Sequence, residues 1–187
     1  MHSCSLLFHS LRSFYPLGAC VQWRWARAHS SINITGEGGA LAARKGGGWY
    51  KSVVCGEVLQ AEGEAYAEFT PVGGTVMVGV ARAGSHVSLL DGLYATADGW
   101  MYRCGNGAHY HNFDQNKTQR LPWASGEEQS IEVGGTVGLL LKQGSLSVHI
   151  GGRQVGVMCT GLSGALVWAA DLAYGSVRIE RKPPPAQ

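Results

Sequence analysis

Residues 134–158 read GGTVGLLLKQGSLSVHIGGRQVGVM. In Ser145-Leu146-Ser147-Val148-His149-Ile150, the apolar side chains Leu146, Val148 and Ile150 alternate with Ser145, Ser147 and His149. That period of two predicts a strand buried on one face, with the serines and the histidine turned outward. Gly151-Gly152 supplies the positive φ angles of a tight hairpin turn, and Val155 and Val157 resume the alternation. Upstream, 136–141 is one apolar run, ended by Lys142-Gln143-Gly144 as a second hairpin turn. The segment is therefore a meander of three antiparallel strands. It contains no nucleophile beside a base.

The same punctuation runs outward in both directions. Further strands are predicted at 31–35, 49–55, 65–69, 75–80, 99–103, 108–111, 167–170 and 176–179. With the meander this makes about eleven short strands at spacings near ten residues, and no stretch has capped helical periodicity. Such a pattern predicts an all-β sandwich or barrel. Glycine, at 28 of 187 residues, is about twice its usual share and sits between the apolar runs. The expected organisation is an N-terminal extension over 1–30, a β-sandwich over 31–180 and a Pro-rich tail over 181–187. Lys182-Pro183-Pro184-Pro185 cannot pair in a sheet.

Composition removes several classes of function. A formal net charge of +2 gives no argument for nucleic acid or an anionic membrane. No apolar run approaches the roughly 20 residues of a membrane helix. The five cysteines, Cys4, Cys20, Cys55, Cys104 and Cys159, are odd in number and far apart, which suits free thiols better than a disulfide framework or zinc site. Residues 1–36 carry Arg12, Arg24, Arg27 and many serines with no acidic residue. That composition resembles an organelle transit peptide, and its competitor is a plain extension. The expected compartment is intracellular and cytoplasmic, with organelle import as the alternative.

Several segments come close to a catalytic or ligand motif. His109 and His111, at i and i+2 on a strand, would share a face, as in a cupin-like metal site. The glutamate such a site needs is missing, and Asp114 falls one residue early. Gly161-Leu162-Ser163-Gly164 is one residue short of a nucleophile elbow. In 44–52, Tyr50 stands where a phosphate loop has the glycine before its lysine. Cys104, next to Arg103 at a turn, has one feature of an activated thiol. Among the tryptophans, Trp49, Trp100 and Trp168 read as core. Trp123, after Leu121-Pro122 in a polar stretch, reads as an exposed anchor.

The ordered series 42–45, 76–81, 99–102, 135–141, 144–148 and 151–157 resembles a SPRY (B30.2-type) domain over most of the chain. It departs from the family's usual pattern at three turns. These are Gly134-Gly135, Lys142 and Gly151-Gly152, where Gly-Asp, Asp and Asn-Gly are usual. The resemblance implies a bent antiparallel β-sandwich, jelly-roll-like and similar to the concanavalin-like lectins. It implies a non-catalytic, monomeric adaptor-type module without a cofactor, binding a peptide or protein through loops at one edge.

By loop order, the contact surface would take Arg44, Lys45, Trp49 and Tyr50 from the first loop. A second loop would add Ser85, His86, Leu89 and Asp91. Asn116, Arg120 and Trp123 come from the long polar loop, and Tyr174 lies near the last strand. The alternative implied by the lectin likeness is carbohydrate binding at Asp114, Gln115, Asn116 and Trp123.

Overall fold

The structure is a computed structural model that describes residues 22–86, 92–112, 121–127 and 129–186. The acid-free segment up to residue 21 lies outside the described residues, as do Leu89, Asp91, Asp114, Gln115, Asn116 and Arg120. Thirteen strands are described: β1 (Trp25–Ala28), β2 (Ile32–Thr35), β3 (Leu41–Arg44), β4 (Lys51–Cys55), β5 (Leu59–Gln60), β6 (Glu64–Arg82), β7 (Gly99–Arg103), β8 (His109–Tyr110), β9 (Ser125–Gly126), β10 (Val137–Lys142), β11 (Ser145–Ile150), β12 (Arg153–Cys159) and β13 (Ala165–Arg181). Helical structure among the described residues is limited to two short 3-10 turns, Glu37–Gly39 and Leu93–Ala95. The chain is an all-β antiparallel sandwich.

Two long strands organise it. β6 and β13 pair antiparallel from Leu166↔Arg82 to Arg181↔Ala67, which spans both layers. In the first layer the C-terminal half of β6 pairs with β7, and the N-terminal half of β13 pairs with β4. In the second layer the N-terminal half of β6 pairs with β10, and the C-terminal half of β13 pairs with β3. The 65–69 and 75–80 strands of the sequence reading are thus one strand, and so are 167–170 and 176–179. Pro71 and the glycines interrupt the apolar pattern without interrupting the ladder.

The bend falls where glycines face each other. Gly74 and Gly175 have φ of +84° and +89°. A Cβ on Gly74 would lie 2.1 Å from the Tyr174 carbonyl oxygen, and one on Gly175 would lie 1.9 Å from that of Gly73. No side chain fits there, and the ladder shifts register on either side of Gly175.

The meander forms as its alternation predicts: β10 pairs with β11, and β11 with β12. Leu139, Leu141, Leu146 and Val148 enter the main core with Val76, Val78, Val80, Trp168 and Leu172 from the first layer. Trp168 binds the layers together, meeting Phe69 at 5.9 Å and Trp23 at 6.2 Å, both edge-on. One expectation fails here. Ser147 and His149 are buried rather than turned to solvent. Gly138, which pairs with His149, has no side chain, so the Tyr66 ring reaches across β10 and meets the imidazole edge-on at 5.9 Å.

The sheet also starts earlier than residue 31. β1 pairs with β4, and Trp23 and Trp25 are buried in the core. Arg24 between them and Arg27 just after stay outside, so the last residues of the expected extension belong to the sandwich. β3, β5 and β9 are likewise absent from the sequence reading. They are two to four residues long, too short to show a period.

Candidate binding surface

Four strands of the first layer bring Ser52, Asp171, Met77 and Arg103 into one lateral row. Asp171 is completely buried. Its Oδ1 accepts the Ser52 hydroxyl at 2.6 Å and the Leu93 amide at 3.1 Å, and its Oδ2 accepts the Tyr94 amide at 2.8 Å. Burial raises its pKa, and these three hydrogen bonds pull it back in part. The carboxylate therefore staples the 3-10 turn 93–95 onto the outer face of the sheet. Under that turn lies a second apolar cluster that includes Val54, Met77, Met101 and Val167. Tyr50 packs edge-on to Tyr94 at 5.1 Å, and Tyr94 to Tyr110 at 6.2 Å. Burial pushes the Tyr50 hydroxyl up to about 12.

The loop from β3 to β4 lies beside this cluster. Arg44 Nη1 donates to the Leu172 carbonyl at 2.6 Å and also to the Trp49 carbonyl. Lys45 is exposed, and its amide donates to the Ser31 carbonyl at 2.9 Å. Desolvation lowers the Arg44 pKa. The guanidinium thus acts as an internal brace for the loop. Trp49, whose β patterning read as core although its loop was named for the contact surface, is 65% exposed, because it precedes β4 in the glycine-rich turn instead of opening the strand.

Tyr174 is 54% exposed on β13, two residues from the carbonyl that Arg44 holds. Val72 is exposed on the neighbouring β6, where its carbonyl accepts the Ser176 hydroxyl at 3.3 Å. Val133 is exposed on a turn fixed by the Gly134 amide donating to the Pro71 carbonyl at 2.9 Å. Trp49, Tyr174, Val72 and Val133 thus lie on segments tied by these contacts at or beside the bend, and are four of the five large hydrophobic side chains exposed among the described residues. Val72 and Val133 escaped the sequence reading. Their signal, an apolar residue beside Pro or Gly-Gly in a turn, was available.

The other anticipated site residues fare differently. Ser85 is buried, its hydroxyl donating to the Arg82 carbonyl at 2.7 Å, and so is a structural residue. His86 is exposed. Trp123 is not an exposed anchor. It is half-buried against the core, edge-on to His109 at 5.5 Å and Tyr102 at 6.2 Å, where Gly156 leaves room for its ring. This removes the aromatic on which a sugar site at 114–123 relied.

The two histidines each pack on a tryptophan. His109 is buried against Trp123, and His111 stacks on Trp100 at 4.6 Å with its Nδ1 2.9 Å from the Gly99 carbonyl. Among the described residues no group of three or more His, Cys, Asp or Glu side chains is placed to hold a metal. Cys104 is buried, and desolvation pushes its thiol up to about 12, against any activated role.

No protein-family model matches the sequence, and no curated protein matches it. Solved structures do. The SPRY domain of human HERC1 superposes with a TM-score of 0.63 at 19% identity, over 81% of this chain and 93% of that one. The TRIM65 PSpry domain gives 0.60 at 17% identity, over 87% and 92%. A human SPRY domain gives 0.62 at 17% identity, over 81% and 95%.

Proposed function

We propose that this chain, whose fold is that of the SPRY domains, is a non-catalytic interaction module that binds a peptide or protein surface along its bend. The observation that carries the reading is the exposed series Trp49, Tyr174, Val72 and Val133 on a braced backbone. Aromatic side chains on rigid loops bind at little entropic cost and dominate interface energies. Arg44 keeps the Trp49 loop in place before any partner arrives, which favours affinity by preorganisation. Asp171 does the same for the neighbouring turn at Leu93 and Tyr94. The contacts assigned to this surface are Arg44, Lys45, Trp49, Tyr50 and Tyr174, joined by Val72 and Val133.

The test is a selection of peptides from a random display library against the wild-type protein. The selected peptides are then titrated against Trp49→Ala and Tyr174→Ala. Each substitution should weaken binding by about tenfold or more, as loss of a hot-spot aromatic does. Undiminished affinity in both variants would remove the bend as the binding surface.

A further inference from the structure

The outer face of the second layer holds a cavity of about 390 Å³. Its floor is a lateral row, Glu68–Gly138–His149, across β6, β10 and β11. The Tyr66 hydroxyl fills the space over Gly138, where a Cβ would come within 2.0 Å of it, so the Tyr66 ring forms part of the floor. One wall is the turn carrying Ile131 and Glu132, and the other is the Gly151-Gly152 hairpin. The Ile131 amide donates to the Cys104 carbonyl at 2.9 Å, so the first wall is fixed to the sandwich.

The chemistry of the lining is one-sided. It includes two carboxylates, Glu68 and Glu132, and no lysine or arginine. Neither carboxylate makes an ion pair among the described residues, although Lys182, bonded to Glu180 at 3.1 Å, is close enough to feel Glu68. The Tyr66 hydroxyl donates to Glu68 at 3.3 Å and so orients it.

His149 is 4% exposed and lines the cavity. Burial lowers its pKa, which favours the neutral ring. The Ser147 hydroxyl lies 3.3 Å from His149 Nε2 and 3.4 Å from the Leu140 carbonyl, within reach of both. The other ring nitrogen, Nδ1, is buried without a hydrogen-bond partner. A buried polar atom without a partner calls for an explanation.

We propose that this cavity is a site for the alkylammonium group of a lysine side chain presented by a protein partner. An ammonium carries one positive charge and three N–H donors. Glu68 and Glu132 supply the counter-charge, and the neutral imidazole adds no repulsion. The four-carbon stem of lysine runs along Ile131, Ile150 and the Tyr66 ring, as long cationic side chains do along apolar surface. The site shares the 131–135 turn with the bend surface through Val133 but uses different side chains, so loss of binding at one is read independently of the other.

The experiment titrates Nα-acetyl-lysine-N-methylamide into the ¹⁵N-labelled full chain and follows the amides of Gly135, Gly138, His149, Gly151 and Gly152. Saturable shifts are expected there with the lysine derivative and not with its neutral norleucine counterpart. Glu68→Gln or Glu132→Gln should weaken binding roughly tenfold, the value of a charge-assisted hydrogen bond. Glu132→Lys, on an exposed turn where folding is not at stake, should abolish it, while Trp49→Ala should leave it unchanged. Equal response to norleucine, no saturable shift, or undiminished binding by Glu132→Lys would overturn the proposal. So would binding of the free diamine cadaverine without binding of the lysine derivative, since it would point to a small-molecule amine.

Discussion

The two outer faces of this sandwich handle carboxylates in opposite ways. On the first layer, Asp171 is fully buried and its two oxygens accept three hydrogen bonds from Ser52, Leu93 and Tyr94. It closes that face under a turn. On the second layer, Glu68 and Glu132 border a cavity floored in part by the Tyr66 ring over Gly138, beside an imidazole nitrogen with no partner. A satisfied carboxylate builds structure. Carboxylates left at the edge of a cavity, in the same chain, are available to a ligand.

The difference depends on both faces belonging to one ribbon, and the largest expected effect comes from breaking that ribbon. Gly175→Val places a branched side chain where even a Cβ would sit 1.9 Å from a backbone carbonyl, at φ +89°. The loss should exceed about 4 kcal/mol, the range reserved for strain at a special backbone position. Denaturant unfolding reads it directly. A variant within about 1 kcal/mol of wild type would mean that the bend tolerates side chains and that the two layers are not held in register there.

Asp171→Asn tests the closed face. Asparagine can still accept from Ser52 and Leu93, but its NH₂ then faces the Tyr94 amide, donor against donor. A cost of about 1–3 kcal/mol is expected from the orphaned amide. The pH dependence sharpens the test. The native carboxyl has a raised pKa, so it holds its proton more tightly than the unfolded chain does. Its contribution to stability therefore grows as pH falls from the raised native value toward about 4, and is constant below that. The wild-type-minus-variant difference should widen on acidification across that window. A difference that is flat in pH would show that Asp171 titrates normally.

Gly138→Ala tests the open face. The added methyl would collide with the Tyr66 hydroxyl, so the ring must leave its place over β10 and lose its edge contact with His149. Overpacking of this kind costs about 1–3 kcal/mol. The lysine site should be lost with it, while peptides selected at the Trp49 bend bind as before. Retention of the lysine site in this variant would place the ammonium away from the Glu68–Gly138–His149 row.

Much of the closed architecture was legible in the sequence. Strict alternation at 145–150 and Gly-Gly turns at 151–152 have one simple structural solution, and β10, β11 and β12 adopt it. The two long strands were hidden because Pro71 and Gly73-Gly74 are ordinary signs of a turn. Whether such glycines end a strand or bend it depends on what lies opposite, and Gly175 is about a hundred residues away. The second, buried side of β11 was hidden for a related reason. His149 looks solvent-facing until Gly138 on the neighbouring strand lets Tyr66 cover it. Trp49 and Trp123 exchanged roles because local pattern does not say which tryptophan a distant strand will cover. Here Gly156 makes room for Trp123 and nothing covers Trp49.

That exchange gives the smallest expected effect on stability. Trp49 is 65% exposed and held through its backbone carbonyl, a contact that any residue at that position can keep. Trp49→Ala should therefore change unfolding free energy by no more than about 0.5 kcal/mol, yet weaken a bound peptide as an interface anchor does. Tryptophan fluorescence would separate the two roles. Trp168 is buried, and its emission should shift only on unfolding, whereas Trp49 should respond to a peptide at constant fold. If Trp49→Ala costs as much stability as a core truncation, about 3–5 kcal/mol, its exposed surface is covered in solution and it belongs to the scaffold. If it costs nothing in stability and much in binding, the braced loop of Arg44 exists to present it.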